Sequence, residues 1–280
     1  MNPKFSIITC TKDSEQYLEQ NIKSVSEQTF NDFEHILVDG QSSDKTIEII
    51  CKYQNQFPDR VISIIRSPKG IADAMNEGIK RAKGEYIICL HSDDLFNDKN
   101  VLKDTAEFLK KHQPDWTYAK EMLIDSNGKE IKLFINMNLF RSGSERFFSK
   151  YLLKYFNFVR HQSVFIKKDV FNRFGPFDET FRIAMDYEYW LRIKNRTDWI
   201  FFDRIVDNFR KHDKGASSSP FTRTDSHLEE MQAGKMYMNW FEFYVLRFIF
   251  KILAKVADEA KEQIELYKAF RKAVIGRRQL

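Results

Sequence analysis

The residues best able to do chemistry fall in four short polar clusters. The first, His91-Ser92-Asp93-Asp94, follows the apolar run Glu85 to Leu90. Two adjacent carboxylates at the carboxyl end of a strand make a hard, oxygen-rich corner. It suits Mg2+ or Mn2+ carrying a diphosphate, whose charge bare carboxylates would repel. An aspartate turn capping the next helix accounts for the same residues. Asp39 likewise follows a strand-like run, Glu34 to Val38, and opens the loop Asp39-Gly40-Gln41-Ser42-Ser43-Asp44. Its carboxylate can accept hydrogen bonds from a base or ribose, Gly40 permits close approach, and Ser43 or Asp44 caps the helix that follows.

The third cluster runs from Gly175-Pro176-Phe177-Asp178-Glu179 to Ala184-Met185-Asp186-Tyr187-Glu188. Asp186 and Glu188 open a helix whose Tyr189, Trp190 and Ile193 are expected inward. A carboxylate in that first turn is stabilised in its ionised form and can serve as a base; ordinary helix-start acids are the alternative. The fourth, Arg210-Lys211-His212-Asp213-Lys214 and onward to Ser219, offers a histidine and cations to a diphosphate or its metal. Such a loop can order over a bound donor, or be a plain surface loop. No Gly-x-Gly-x-x-Gly or P-loop spacing occurs, which argues against a dinucleotide or NTPase site.

Hydrophobic periodicity supplies the elements that position these clusters. Strands at Phe5 to Thr9, Glu34 to Val38, Val61 to Ile65 and Glu85 to Leu90 alternate with helices. The helices start after Ser14 (Tyr17, Leu18, Ile22 and Val25 at helical spacing), then span Lys45 to Tyr53 (Ile47, Ile50 and Cys51 inward), Gly70 to Lys83, and Asn100 to His112. This alternation predicts βαβ units and a mostly parallel sheet, with ligands at the carboxyl ends of the strands. After Trp116 to Lys120 the regularity fades into a hairpin around Asp125 to Gly128, then a Phe-rich stretch from Phe134 to Phe158 without clear period. From Trp240 to about Ala273 the pattern is helical and almost encircled by apolar residues near its start. Such a helix is buried against the domain or a second subunit, or lies in a membrane interface.

At 280 residues the chain has room for one large α/β domain and a tail. The net charge of +5 is modest, and its excess collects at Lys268, Arg271, Lys272, Arg277 and Arg278 behind the aromatic segment. That combination suits an anionic lipid surface better than a nucleic acid, although a solvated helix end has the same composition. Cys10, Cys51 and Cys89 show no ligand or disulfide spacing and are expected to be buried free thiols of a reducing compartment. Met1 lies too close to the first strand for a signal peptide, and no uncharged apolar stretch matches a bilayer, so a cytoplasmic protein is expected.

The order and spacing of these segments resemble family 2 glycosyltransferases with the GT-A fold, especially bacterial enzymes that build O-antigen, capsule and other surface glycans. The resemblance covers about Lys4 to Ser219. It rests on Phe5 to Asp13 (FSIITCTKD), Ser24 to Phe30 (SVSEQTF), Leu37 to Thr46 (LVDGQSSDKT), Gly70 to Gly78 (GIADAMNEG), Gly84 to Asp94 (GEYIICLHSDD), Phe174 to Glu179 (FGPFDE) and Ala184 to Glu188 (AMDYE). It implies a Rossmann-like GT-A catalytic domain over 1–220, with a nucleotide-sugar half (1–115) and an acceptor half (116–220); the helical pattern beyond it makes 221–280 a C-terminal extension expected to contact a membrane or another subunit.

The resemblance further implies that a hexose passes from a nucleotide sugar, UDP-hexose first, to an oligosaccharide or lipid-linked glycan with inversion, using Mn2+ or Mg2+. Carried over by position, Thr9, Thr11, Asp13, Gly70 and Ser92 line the nucleotide pocket, Asp39 binds the base and Asp73 sits near the ribose or sugar. The family's Asp-x-Asp metal motif falls on His91-Ser92-Asp93, so its first Asp is His91 here. Asp93 (also counted with the nucleotide residues) and Asp94 are then the metal-side carboxylates, with His212 near the metal and diphosphate. Imidazole can itself ligate Mn2+, which leaves open whether His91 joins the metal. Asp186 matches the catalytic base. The rival classes are a sugar nucleotidyltransferase and an inactive nucleotide-sugar or glycan-binding module. The first normally shows a Gly-rich loop after its first strand, where this chain has Cys10-Thr11-Lys12-Asp13; the second would be suggested by missing metal carboxylates or base, whereas Asp93, Asp94 and Asp186 are all present.

Overall fold

The computed structural model describes residues 2–134, 153–154, 157–212, 220–241, 243–244 and 248. The chain divides into two compact units, Met1–Ala233 and Gly234–Leu280. In the first, β1 (Phe5–Thr11), α1 (Leu18–Ser26), β2 (Phe33–Asp39), α2 (Thr46–Gln56), β3 (Val61–Ile65), α3 (Ile71–Arg81) and β4 (Tyr86–Cys89) alternate as the periodicity predicts. There follow β5 (Leu95–Phe96), α4 (Val101–His112), β6 (Trp116–Ile124), β7 (Glu130–Phe134), β8 (Val164–Lys167), α5 (Lys168–Phe174), α6 (Met185–Ile193), β9 (Trp199–Arg210) and α7 (Pro220–Tyr237).

One sheet runs in the order β3-β2-β1-β4-β8-β6-β9-β5, with β7 added on β6. Strands β3, β2, β1 and β4 are parallel. Beyond them β8 inserts antiparallel between β4 and β6, while β6 and β9 pair in parallel, so the far half of the sheet is mixed. Parallel strands covered by helices on both faces are apolar throughout, which is why FSIIT and EHILV read as continuous runs. On one face Phe5, Ile7 and Ile88 meet Val101, Leu102 and Leu109 of α4; a separate cluster packs Leu37 and Val61 with Ile50 and Tyr53 of α2. Each such side chain contributes about 1.5–3 kcal/mol by leaving water.

Two expectations change. The inward face of α2 is Thr46, Ile50 and Tyr53, a spacing of four and three residues; Cys51, about 100° round the helix from Ile50, is exposed. Only Cys89 is a fully buried thiol, with Cys10 partly so. The hairpin turns at Asp125 to Gly128, where Gly128 adopts φ +85° and Asp125 Oδ1 accepts from the Asn127 and Lys129 backbone N–H groups. Most of the helix expected over Trp240 to Ala273, most of the Phe134 to Phe158 stretch and the basic residues Lys268 to Arg278 lie outside the described residues. Among the described residues, no helix is long and apolar enough to cross a membrane.

The helix α6 is fixed by aromatic packing. Trp116 of β6 stacks between Trp190 of α6, with ring centres 5.0 Å apart, and Trp199 of β9, at 4.6 Å. Its indole N–H donates to Thr197 Oγ1, and that hydroxyl donates to the Ile193 carbonyl at the end of α6. Tyr189, Trp190 and Ile193 are buried, as their spacing predicts. Stacked aromatics add about 0.5–1.5 kcal/mol beyond area burial, so the helix that presents Asp186 is held rigidly on the sheet.

Candidate functional site

The loops at the carboxyl ends of β1 and β2 are laced together. Thr11 and Asp39 are register partners at the strand ends, and Thr11 Oγ1 donates to Asp39 Oδ2 at 2.8 Å. Asp39 also accepts from the Ser42 backbone N–H (2.8 Å) and hydroxyl (2.6 Å). Asp13 Oδ1 accepts from the Ser43 N–H and hydroxyl; that backbone bond chiefly holds its carboxyl below the usual carboxylate range. Asp13 (φ +48°) and Gln41 (φ +60°) both occupy the left-handed region, a cost the lacing sustains. Thr9 lies deeper: it is fully buried and its hydroxyl is shared with His35 inside the sheet, away from these loops.

The β3–α3 loop joins the same end of the sheet. The Arg66 N–H donates to the Asp39 carbonyl, and the Arg66 guanidinium meets Asp73 Oδ1 at 3.0 Å in the first turn of α3. Asp73 Oδ2 is buried with no hydrogen-bond partner among the described residues. Gly70 precedes α3 at φ +131° with open space where a Cβ would stand.

After β4, Ser92 Oγ lies 2.9 Å from Ser14 Oγ, and the Asn21 side-chain amide donates to the carbonyls of His91 and Asp94. The adjacent aspartates point to different surroundings. Asp93 is about a quarter exposed, and its Oδ2 lies 2.8 Å from His212 Nε2. Asp94 is fully buried, and its Oδ1 accepts from the Arg210 N–H. Burial, then the charge of Asp93, pushes its carboxyl well above the usual range. It belongs to a buried acidic group with Glu121, raised to about 7 by burial, and Asp207, held well above the usual carboxylate range by burial and then by Glu121. Asp94, expected on the metal side, therefore has its carboxylate inside the protein. Among the described residues no three His, Cys, Asp or Glu side chains are arranged to hold a metal ion by themselves.

Asp186 stands in the first turn of α6, 8% exposed, with Oδ1 accepting the Tyr187 N–H at 2.6 Å. Its Oδ2 lies 3.2 Å from His161 Nδ1, and His161 Nε2 lies 2.7 Å from His91 Nε2. Burial, then the neighbouring His161, pushes the half-buried His91 down to about 4. Three N–H groups preceding the helix, at Arg182, Ile183 and Ala184, donate to the Glu229 carboxylate.

Sequence patterns missed His161 and the buried role of Arg210. Arg160-His161-Gln162-Ser163 is a polar run directly before the apolar Val164 to Ile166, the one local signal at that point. Arg210, expected among the cations of a donor-facing loop, is 1% exposed and tied to protein carbonyls. Residues 213–219 of that loop lie outside the described residues.

The model of the family described as Glycosyl transferase family 2 matches residues 6–181. A "PGL/p-HBAD biosynthesis glycosyltransferase" of Mycobacterium tuberculosis is 29% identical over 191 residues, 68% of this chain and 69% of that protein. Among solved structures, TarS of S. aureus in complex with UDP-GlcNAc superposes with TM-score 0.64 at 20% identity, covering 86% of this chain and 73% of that one. A mannosyltransferase from Pyrobaculum calidifontis in complex with GDP-Man and Mn2+ gives TM-score 0.64 at 15% identity over 85% of this chain and 66% of that one. At these identities the likeness is one of fold, and the fold is the α/β GT-A architecture.

Proposed function

Because this chain belongs to glycosyl transferase family 2, we propose that it moves a hexose from a nucleotide sugar to a hydroxyl of a glycan or lipid-linked acceptor in bacterial surface polysaccharide synthesis, with inversion at the anomeric carbon. The observation that carries the proposal is the placement of Asp39 at the end of β2, Asp73 in the first turn of the helix after β3 and Asp93 in the loop after β4, all on the carboxyl-end side of parallel strands, while Asp186 reaches His91, two residues before Asp93, through His161. Asp39 would take the base, and the orphaned Asp73 Oδ2 a ribose or sugar hydroxyl. Asp186 accepts the proton of the acceptor hydroxyl while that oxygen bonds to the anomeric carbon and the bond to the diphosphate breaks on the opposite face.

The donor set beside the diphosphate position fits Mn2+ or Mg2+ in part. Asp93 Oδ2 and His212 Nε2 converge, one hard oxygen and one imidazole, and a donor diphosphate would complete the shell. A metal there would supply positive charge to the leaving diphosphate. UDP-hexoses are the proposed donors; TarS, whose fold this chain shares, has been solved with UDP-GlcNAc. Exposed Trp240, Phe241, Tyr244 and Phe248 support a peripheral role for the C-terminal region at the cytoplasmic face of the inner membrane, with a subunit contact as the alternative.

The test is a thermal-shift and hydrolysis screen against a panel of nucleotide sugars, with and without Mn2+. Stabilisation by a UDP-hexose that grows with Mn2+ is expected. No response to any nucleotide sugar would overturn donor use.

A further inference from the structure

We infer that His161 is a positioning residue for Asp186, and that His91 fixes His161 rather than serving the metal; this rests on the proposed role of Asp186 as base. The first residue of a short turn (His161–Ser163), His161 leads directly into β8, and Ser163 pins that turn by donating its hydroxyl to the Ala119 carbonyl on β6. The imidazole is 13% exposed and the Asp186 side chain 11%, so water competes little for their 3.2 Å contact.

The tautomers follow from that geometry. An ionised carboxylate only accepts, so His161 Nδ1 carries the proton towards Asp186 Oδ2. A neutral His161 then has a bare Nε2, which accepts from the Nε2–H of His91 at 2.7 Å, the two rings meeting edge to face at 86°. With the Tyr187 N–H on Oδ1 and His161 on Oδ2, donors from two separate elements hold the carboxylate plane of Asp186. A base oriented by a third group in this way presents one fixed lone-pair direction to the attacking hydroxyl. It also accounts for the histidine where the family resemblance places an aspartate: His91 Nε2 is committed to His161, and Asp93 with His212 is left for the diphosphate side.

The experiment uses the full chain with histidine 15N labels, and needs no donor for its first part. Imidazole 15N shifts are expected to show His161 protonated on Nδ1 and bare on Nε2, with Asp186→Ala abolishing that preference. Protonation of His161 on Nε2 alone, or shifts indifferent to Asp186→Ala, overturns the inference. The second part measures Mn2+-supported hydrolysis of UDP-glucose, UDP-galactose and their N-acetyl forms. His161→Ala should lower kcat roughly 10–100-fold, the usual loss when a partner orienting a functional side chain is removed, with donor KM within about twofold. His161→Asn, which restores a donor near the Nδ1 position, should recover part of kcat at wild-type melting temperature. Loss of turnover in Asp186→Asn alongside wild-type kcat in His161→Ala would overturn the positioning role alone. Retained turnover in Asp186→Asn would instead remove the base assignment, whatever the 15N shifts show.

Discussion

The backbone N–H of Arg210 donates to Asp94 Oδ1 at 2.8 Å, so the end of β9 is held by the loop that follows β4. The Arg210 side chain extends the tie: its guanidinium donates to the Asp93 carbonyl, the Ser126 carbonyl and Gln20 Oε1, and lies 4.5 Å from the centre of the Tyr17 ring. Asp93 and His212 are therefore brought together by one buried cation that joins α1, the β4 loop, the β6–β7 hairpin and β9.

Replacing Arg210 with Met should cost about 3 kcal/mol of unfolding free energy, because it removes the charge beside buried Asp94 and strands acceptors of three elements. Urea unfolding at pH 7 checks this; a change under about 0.5 kcal/mol would show that the guanidinium is dispensable to the fold.

Asp39→Ala should act on both stability and binding. The Thr11 hydroxyl and the Ser42 N–H and hydroxyl lose their buried acceptor, worth about 1–3 kcal/mol. Calorimetric titration with UDP should show at least a tenfold weaker Kd, whereas an unchanged Kd would detach Asp39 from the nucleotide.

Two glycines should differ when each is changed to alanine. A Cβ at Gly84 would stand 2.5 Å from the backbone nitrogen of Ser6 and 2.6 Å from the Phe5 carbonyl carbon. At Gly78 the clash, also at 2.5 Å, is with Cγ2 of Ile8, a side-chain atom that can give way without moving the backbone of β1. Gly84→Ala should therefore lower the melting temperature more than Gly78→Ala, with an overpacking cost for the latter of about 1–3 kcal/mol. The reverse order would mean that β1 and β4 can separate more easily than Ile8 can turn.

His35, buried between Thr9 and Tyr53, is pushed down to about 3 by desolvation and then by the nearby Arg60 charge. The unfolded chain, with an ordinary histidine near 6.5, binds the proton first, so this group removes stability as pH falls from about 6.5 towards 3. Denaturant unfolding at pH 7 and pH 5 should show a smaller pH-dependent loss in His35→Gln than in wild type. Equal losses would mean that other groups carry the acid sensitivity.

The sequence by itself determined the alternating β1 to β4 half, the hairpin at Gly128 and the positions of Asp39, Asp93 and Asp186 at element ends, because continuous apolar runs, a helical period of 3.6 and turn residues are written within a few neighbouring residues. It did not reveal β8 or β9. One is four residues long, and the other carries Asp203, Arg204 and Asp207, which break its pattern while their surroundings come from distant segments. Only the tertiary structure decided that Asp93 and Asp94 part company, that Arg210 is a buried tie, and that His161 stands between His91 and Asp186. Each of those facts depends on which strand lies beside which: β8 entering between β4 and β6, and β9 pairing with β6, bring together groups 25 to 117 residues apart, and no local pattern records such a meeting.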